Sequence, residues 1–129
     1  MPLQYSTNGR LVRVRATEAV RERDYMEMLS ALAEKKALNT PVLFTFSEDA
    51  SLSEIDIAAL TRIRAHFMKL LGAQPGPPVK TAWVTSDEGS ASVIRLWRAL
   101  ADTESGPNRR IRIFSNERDA LTWLSDPIG

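Results

Sequence analysis

Three serines, Ser47, Ser51 and Ser53, stand between the apolar run Val42–Phe46 and a long helical pattern that ends near Leu71. The amino end of a helix offers free backbone amides and the positive end of the helix dipole, which suit an anion such as phosphate. Phosphorylation there would add nearly two negative charges and could switch a contact surface. The plainer role is capping. Ser53 is a good N-cap, and Ser51 with Glu54 spells a capping box. The surface from these serines to Ile57 is therefore the first candidate for contact with a partner.

Two pairs of arginines form the second candidate. Arg13 and Arg15 alternate with Val12 and Val14, and Arg110 and Arg112 alternate with Ile111 and Ile113. On a strand such spacing puts each pair on one face. If the two strands lie near each other, four guanidinium groups form a basic patch for phosphates or an acidic partner. Protection of edge strands by charge, or ion pairs to helix carboxylates such as Glu117, explains the same spacing with no ligand.

Other chemistry finds little provision. The chain has no cysteine, which removes thiolate nucleophiles, disulfides and cysteine-held metals. His66 is the one histidine, set beside the Ile63–Phe67–Leu70 stripe, where a boundary packing role suits it. Histidine catalysis needs a nucleophile or an orienting carboxylate, and a metal needs more ligands. Glu48 and Asp49 are adjacent in a loop and read as solvated. Ser86-Asp87-Glu88-Gly89-Ser90 follows a strand, but its acids repel phosphate and no glycine-rich nucleotide motif surrounds Gly89. Neither a catalytic group nor a cofactor is expected. Trp83, Trp97 and Trp123 sit at periodic apolar positions and read as core. A pocket lined by Trp97, Phe67 and Met68, between helices and sheet, would be the place for an apolar ligand.

The elements that must position these groups follow from periodicity. A strand from Leu3 to Ser6 and a return strand from Arg10 to Arg15 flank Asn8-Gly9, a two-residue hairpin signal. A helix from Glu22 carries Tyr25, Met28, Leu29 and Leu32 on one stripe, with Lys35 and Lys36 in its last turn. Val42–Phe46 reads as a central strand. The next helix carries Ile55, Ala59, Leu60, Ile63, Phe67, Leu70 and Leu71, with Gly72 as its stop and the stiff Gln74-Pro75-Gly76-Pro77-Pro78 loop beyond. Lys80 to Thr85 is a strand, and the following helix carries Val93, Leu96, Trp97, Leu100 and Ala101. A polar loop at 102–108 leads to the strand Arg110–Phe114. Ser115-Asn116 then caps a helix that buries Ala120, Leu121, Trp123 and Leu124. The order β-β-α-β-α-β-α-β-α implies an α/β fold with a five-stranded, mixed but mostly parallel sheet and packed helices, in one domain over 1–129.

That order resembles the STAS/SpoIIAA-like domains, relatives of the anti-sigma-factor antagonists. The likeness rests on Leu11-Val12-Arg13-Val14-Arg15, on Glu22-Arg23-Asp24-Tyr25 opening the first helix, and on Arg112-Ile113-Phe114-Ser115-Asn116-Glu117 followed by Ala120-Leu121-Thr122-Trp123-Leu124. In the antagonists a phosphorylated serine follows the third strand, where Ser51 and Ser53 are the nearest by position. Their Asp-Ser-Ser-Gly signature is absent here. The resemblance implies a non-enzymatic regulatory or protein-interaction module. A related lipid-binding superfamily implies the alternative, an apolar or lipid-like small molecule held between helices and sheet.

At 129 residues, 43% hydrophobic and 26% charged, the chain has the composition of an ordinary globular protein. Its net charge of +1 gives no support to nucleic acid as a partner. No segment has the roughly 18 apolar residues of a membrane span, and no apolar signal region opens the chain. With the lack of cysteine, this points to the cytoplasm, with another protein or a second copy of itself as partner.

Overall fold

The structure is a computed structural model that describes residues 2–38, 40–71, 80–85, 88–103 and 110–126. Five strands and four helices alternate in the expected order: β1 Leu3–Thr7, β2 Val12–Ala16, α1 Glu22–Glu34, β3 Val42–Phe46, α2 Ile57–Leu71, β4 Lys80–Val84, α3 Glu88–Thr103, β5 Arg110–Phe114 and α4 Glu117–Ser125. The strands lie in the order β1-β2-β3-β4-β5. β1 pairs antiparallel with β2, and the remaining pairs are parallel.

Strand order decides where the helices go. Each crossover from β2 onward moves one strand in the same direction. Right-handed connections then place all three linking helices on one face. The packing agrees: α1, α2 and α3 bury Leu29, Leu60, Ile63 and Ile94 against Val14, Phe44 and Trp83 in one core. α4 links nothing, and it folds back on the other face, where Ala120 and Trp123 meet Leu43 and Ala82.

Local chemistry changed several boundaries. Thr7 pairs with Val12, so the hairpin turn spans four residues instead of two. The reason is Asn8, whose Oδ1 accepts from the amides of Arg10 and Leu11, both at 2.9 Å, while Gly9 takes a φ of 89°. Lys35 and Lys36 lie past the last turn of α1, as its C-cap and the residue after it. The amide of Ala37 donates to Leu32 O at 2.8 Å and that of Lys36 to Ala33 O at 3.0 Å, with Lys36 at φ 56°. This is the closing pattern that glycine usually serves. α1 thus stops by its own hydrogen bonds. α3 runs on to Thr103, into the segment read from sequence as loop, and Leu96 on it is 44% exposed. The stop at Gly72, the Gln74–Pro78 loop and Ser86-Asp87 lie outside the described residues, as do the side chains of Leu71, Leu100 and Ala101.

Candidate functional site

All four helices start at one edge of the sheet, because each follows the carboxyl end of a strand. In open α/β sheets that edge is where ligands bind. The segment 47–57 lies there, and it is pinned from below. Ala50, Leu52 and Ile55 are buried. The Ser47 amide donates to Ala16 O at 2.8 Å, and the Val20 amide to Ser51 O at 2.9 Å, beside an isolated bridge between Ala19 and Ser51. Ser90 in α3, fully buried, accepts the Leu52 amide at 3.2 Å. With the buried apolar residues turned inward, the polar ones and Ile57 remain outside.

The cap of α2 is Asp56, whose Oδ1 accepts the Ala59 amide at 2.7 Å. Neither Ser53 nor the Ser51–Glu54 pair caps the helix. The physical reason is the buried pair Leu52 and Ile55, joined by a tight turn from the Ile55 amide to Leu52 O at 3.0 Å, which delays the helix by one turn. Ser51 and Ser53 instead face each other, Oγ to Oγ at 3.1 Å. Ile57 opens the helix with 57% of its surface exposed. A groove of about 410 Å³ runs beside this segment at the strand ends, with Ser47, Glu48, Thr85 and Ser115 in its walls.

The arginine pairs do share a sheet face, since Arg13, Leu43, Ala82 and Arg112 form one row across the ladder. They do not form one patch. β3 and β4 stand between β2 and β5, a separation of roughly 14 Å at about 4.8 Å per strand, and α4 covers the middle. Arg13 and Arg112 serve different neighbours. Arg13 Nη1 donates to Glu117 Oε1 at 3.0 Å, the ion pair to Glu117 that the spacing allowed. Arg112 lies over the rings of Phe114 and Trp123, at 5.5 and 5.7 Å. Arg15, exposed, borders a shallow groove of about 370 Å³ between β1 and α4, with Gln4, Ser6, Thr45 and Glu117. Arg110 lies exposed on the edge strand β5.

Lys80 is a cation that strand periodicity did not single out. It is 9% exposed, and its Nζ donates to Trp123 O at 2.7 Å and to Asp126 O, while lying over the Trp123 ring. A buried ammonium at a helix carboxyl end is favoured by the dipole and by the open carbonyls. It ties α4 to the sheet. Its signal in the sequence, a lysine opening an apolar strand, does not name the helix it will meet.

His66 sits at the margin of α2, partly buried, with Nε2 3.0 Å from Ser30 Oγ on α1. The same two helices are joined by Arg62, whose Nε and Nη2 donate to the two carboxylate oxygens of Glu22 at 2.7 and 2.6 Å. Those hydrogen bonds hold the Glu22 carboxyl below its ordinary pKa and the Arg62 guanidinium above its own. Among the described residues no three His, Asp or Glu side chains cluster as metal ligands, and no helix is long and apolar enough to cross a membrane.

Between the sheet and the three linking helices lies a small cavity of about 50 Å³. Phe67 and Trp97 line it as expected. Met68 packs on the same core but is not in the cavity wall. Stacked rings form one side, with Phe44 and Trp83 4.3 Å apart and Trp97 5.9 Å from Trp83. Trp83 and Trp123 are buried and Trp97 partly so, all in packing positions.

No family model matches the sequence, and no curated protein matches it. Among solved structures, the chain is similar to an uncharacterised protein from the DUF3478 family with a SpoIIAA-like fold, from Shewanella loihica PV-4. The identity is 17%, over 95% of this chain and 91% of that one, with a TM-score of 0.52. The fold of this chain is therefore SpoIIAA-like, a mixed five-stranded sheet with its parallel crossovers on one side.

Proposed function

We propose that the chain is a non-enzymatic regulatory or protein-interaction module, with 47–57 as its contact surface. One observation carries the reading. In a segment whose other apolar residues Ala50, Leu52 and Ile55 are buried, Ile57 alone is turned outward, on a rigidly capped helix end. A large aliphatic side chain held out by a fixed backbone loses little entropy on docking. Ser47, Ser51 and Ser53 belong to the same segment, so a phosphate on Ser51 or Ser53 would alter its charge. It would join Glu48, Asp49, Glu54 and Asp56, and like charges would repel an acidic partner. Catalysis has less support: the Ser30–His66 pair lies in the later turns of α1 and α2, away from this edge, and no carboxylate is bonded to the imidazole among the described residues.

The absence of cysteine supplies the test. Ile57→Cys carries a single photo-crosslinker in cells, with Leu96→Cys, also on an exposed site, as the control. The reading expects a discrete protein adduct at 57, absent at 96 and competed by the unlabelled wild-type chain. Equal labelling at both sites, or none at 57, ends it.

A second reading, an apolar small-molecule binder, draws on the cavity between helices and sheet. Its volume is too small for a lipid chain without repacking.

A further inference from the structure

The wall of the core cavity includes a buried side chain with a polar atom. Trp83 is 1% exposed and lines the cavity, and its Nε1 has no hydrogen-bond partner among the described residues. Buried donors are nearly always paired, because an unmade hydrogen bond forfeits the one given up in water. Indole N–H can only donate, so whatever satisfies it must present an acceptor.

The rest of the wall states what else the occupant must be. Beside Trp83 stand Phe44, Trp97, Leu29 and Met28, all hydrocarbon, aromatic or thioether. Arg64, buried at 5%, adds a cation to the lining and disfavours a cationic guest. Apolar cavities of about 150 Å³ take up benzene, so one of about 50 Å³ holds only a few non-hydrogen atoms. Met28 has an unbranched thioether that can re-pack around a guest of slightly larger size.

We propose that this cavity is a binding site for a compact carbonyl compound, a small ketone or aldehyde, whose oxygen accepts from Trp83 Nε1 and whose alkyl part lies on the Phe44 and Trp97 rings. The proposal rests on the second reading above, that the cavity takes a ligand, and adds the ligand's chemistry. It is independent of the surface at 47–57. The carbonyl supplies an acceptor without a donor, which matches Trp83 Nε1, unpaired among the described residues. The linking helices and the sheet supply a mostly apolar remainder, in which Tyr25, Arg64 and Thr81 are the other polar side chains.

Acetone and xenon separate the class from the cavity. In a proton–nitrogen correlation spectrum, acetone should move the Trp83 indole N–H resonance downfield and saturably, leaving that of Trp123 in place. Trp83→Phe keeps a ring and removes the donor. It should weaken acetone binding by about tenfold, the worth of one ordinary hydrogen bond, while xenon still shifts the methyl signals of Met28 and Leu29. Ala37→Val, which narrows the same cavity, should block both probes and keep the Trp83 N–H in the folded chain as a check. Xenon binding without an acetone response overturns the carbonyl class and leaves the apolar-ligand reading standing. No response to either probe overturns both. A water contact to Nε1 that persists at saturating acetone also overturns the proposal, because the donor is then satisfied by solvent.

Discussion

One face of the sheet lies under three helices, the other under one. The first is sealed by stacked rings and branched aliphatics from four strands and three helices. The second carries a nine-residue helix over the middle strands and leaves Arg13 and Arg15 beside an open groove. On the three-helix face burial does the holding. On the α4 face the helix is held by a small apolar cluster, by the Asn116 cap that accepts the Asp119 amide at 2.8 Å, and by Lys80 at its other end. The lesson is that one sheet can carry a rigid core and a docked accessory helix, separated only by the parity of its side chains.

The comparison is open to direct attack. Phe44→Ala, at the centre of the three-helix face, should cost about 3–5 kcal/mol, since truncating a fully buried aromatic leaves a cavity. Denaturant unfolding measures it, and a loss under about 1 kcal/mol would mean that this face is loosely packed.

Lys80→Met comes next. It keeps the stem but leaves the Trp123 and Asp126 carbonyls without their charged donor, at a cost of about 1.5–3 kcal/mol. Hydrogen exchange should then quicken in α4 and stay unchanged in α1 and α2. An equal rise in all helices would show that the two faces melt as one unit.

The smallest effect belongs to Glu22, which pairs with Arg62 at the rim of the three-helix face. Its folded-state pKa is lowered by that hydrogen bond, so its contribution is present at neutral pH and is lost as acid protonates the carboxyl. Glu22→Gln should therefore lower Tm slightly at neutral pH, and the gap to wild type should close on acidification. A gap that widens in acid would mean that the pair is not what joins α1 to α2.

Much of the fold was legible because its signals are local. Parity on β2 and β5 and helical spacing at Tyr25, Met28, Leu29 and Leu32 mark element type and buried face together, and Asn116 marks the start of α4. Of the candidate site, the exposed arginines and the bond of Arg13 to Glu117 were within reach for the same reason. The cap of α2 was not. Ser53 and Asp56 are equally good cap residues, and the choice between them was made by Leu52 and Ile55 going inward, with Ser90 from another helix holding the turn. Leu96 followed the apolar spacing of α3 and still lies outside, because nothing covers that side of the helix among the described residues.

The two arginine pairs show the division most plainly. Residue spacing alone shows that Arg13 and Arg15, and Arg110 and Arg112, each face one way, because side chains on a strand alternate with a period of two. That all four share a face and yet stand apart is a property of the assembled sheet. Strand order inserts β3 and β4 between them, and which strands become neighbours is a long-range choice that no local pattern encodes. The same holds for the donor at Trp83. Its burial was legible from its place in an apolar strand, but its lack of a partner among the described residues arises where a sheet and three helices meet.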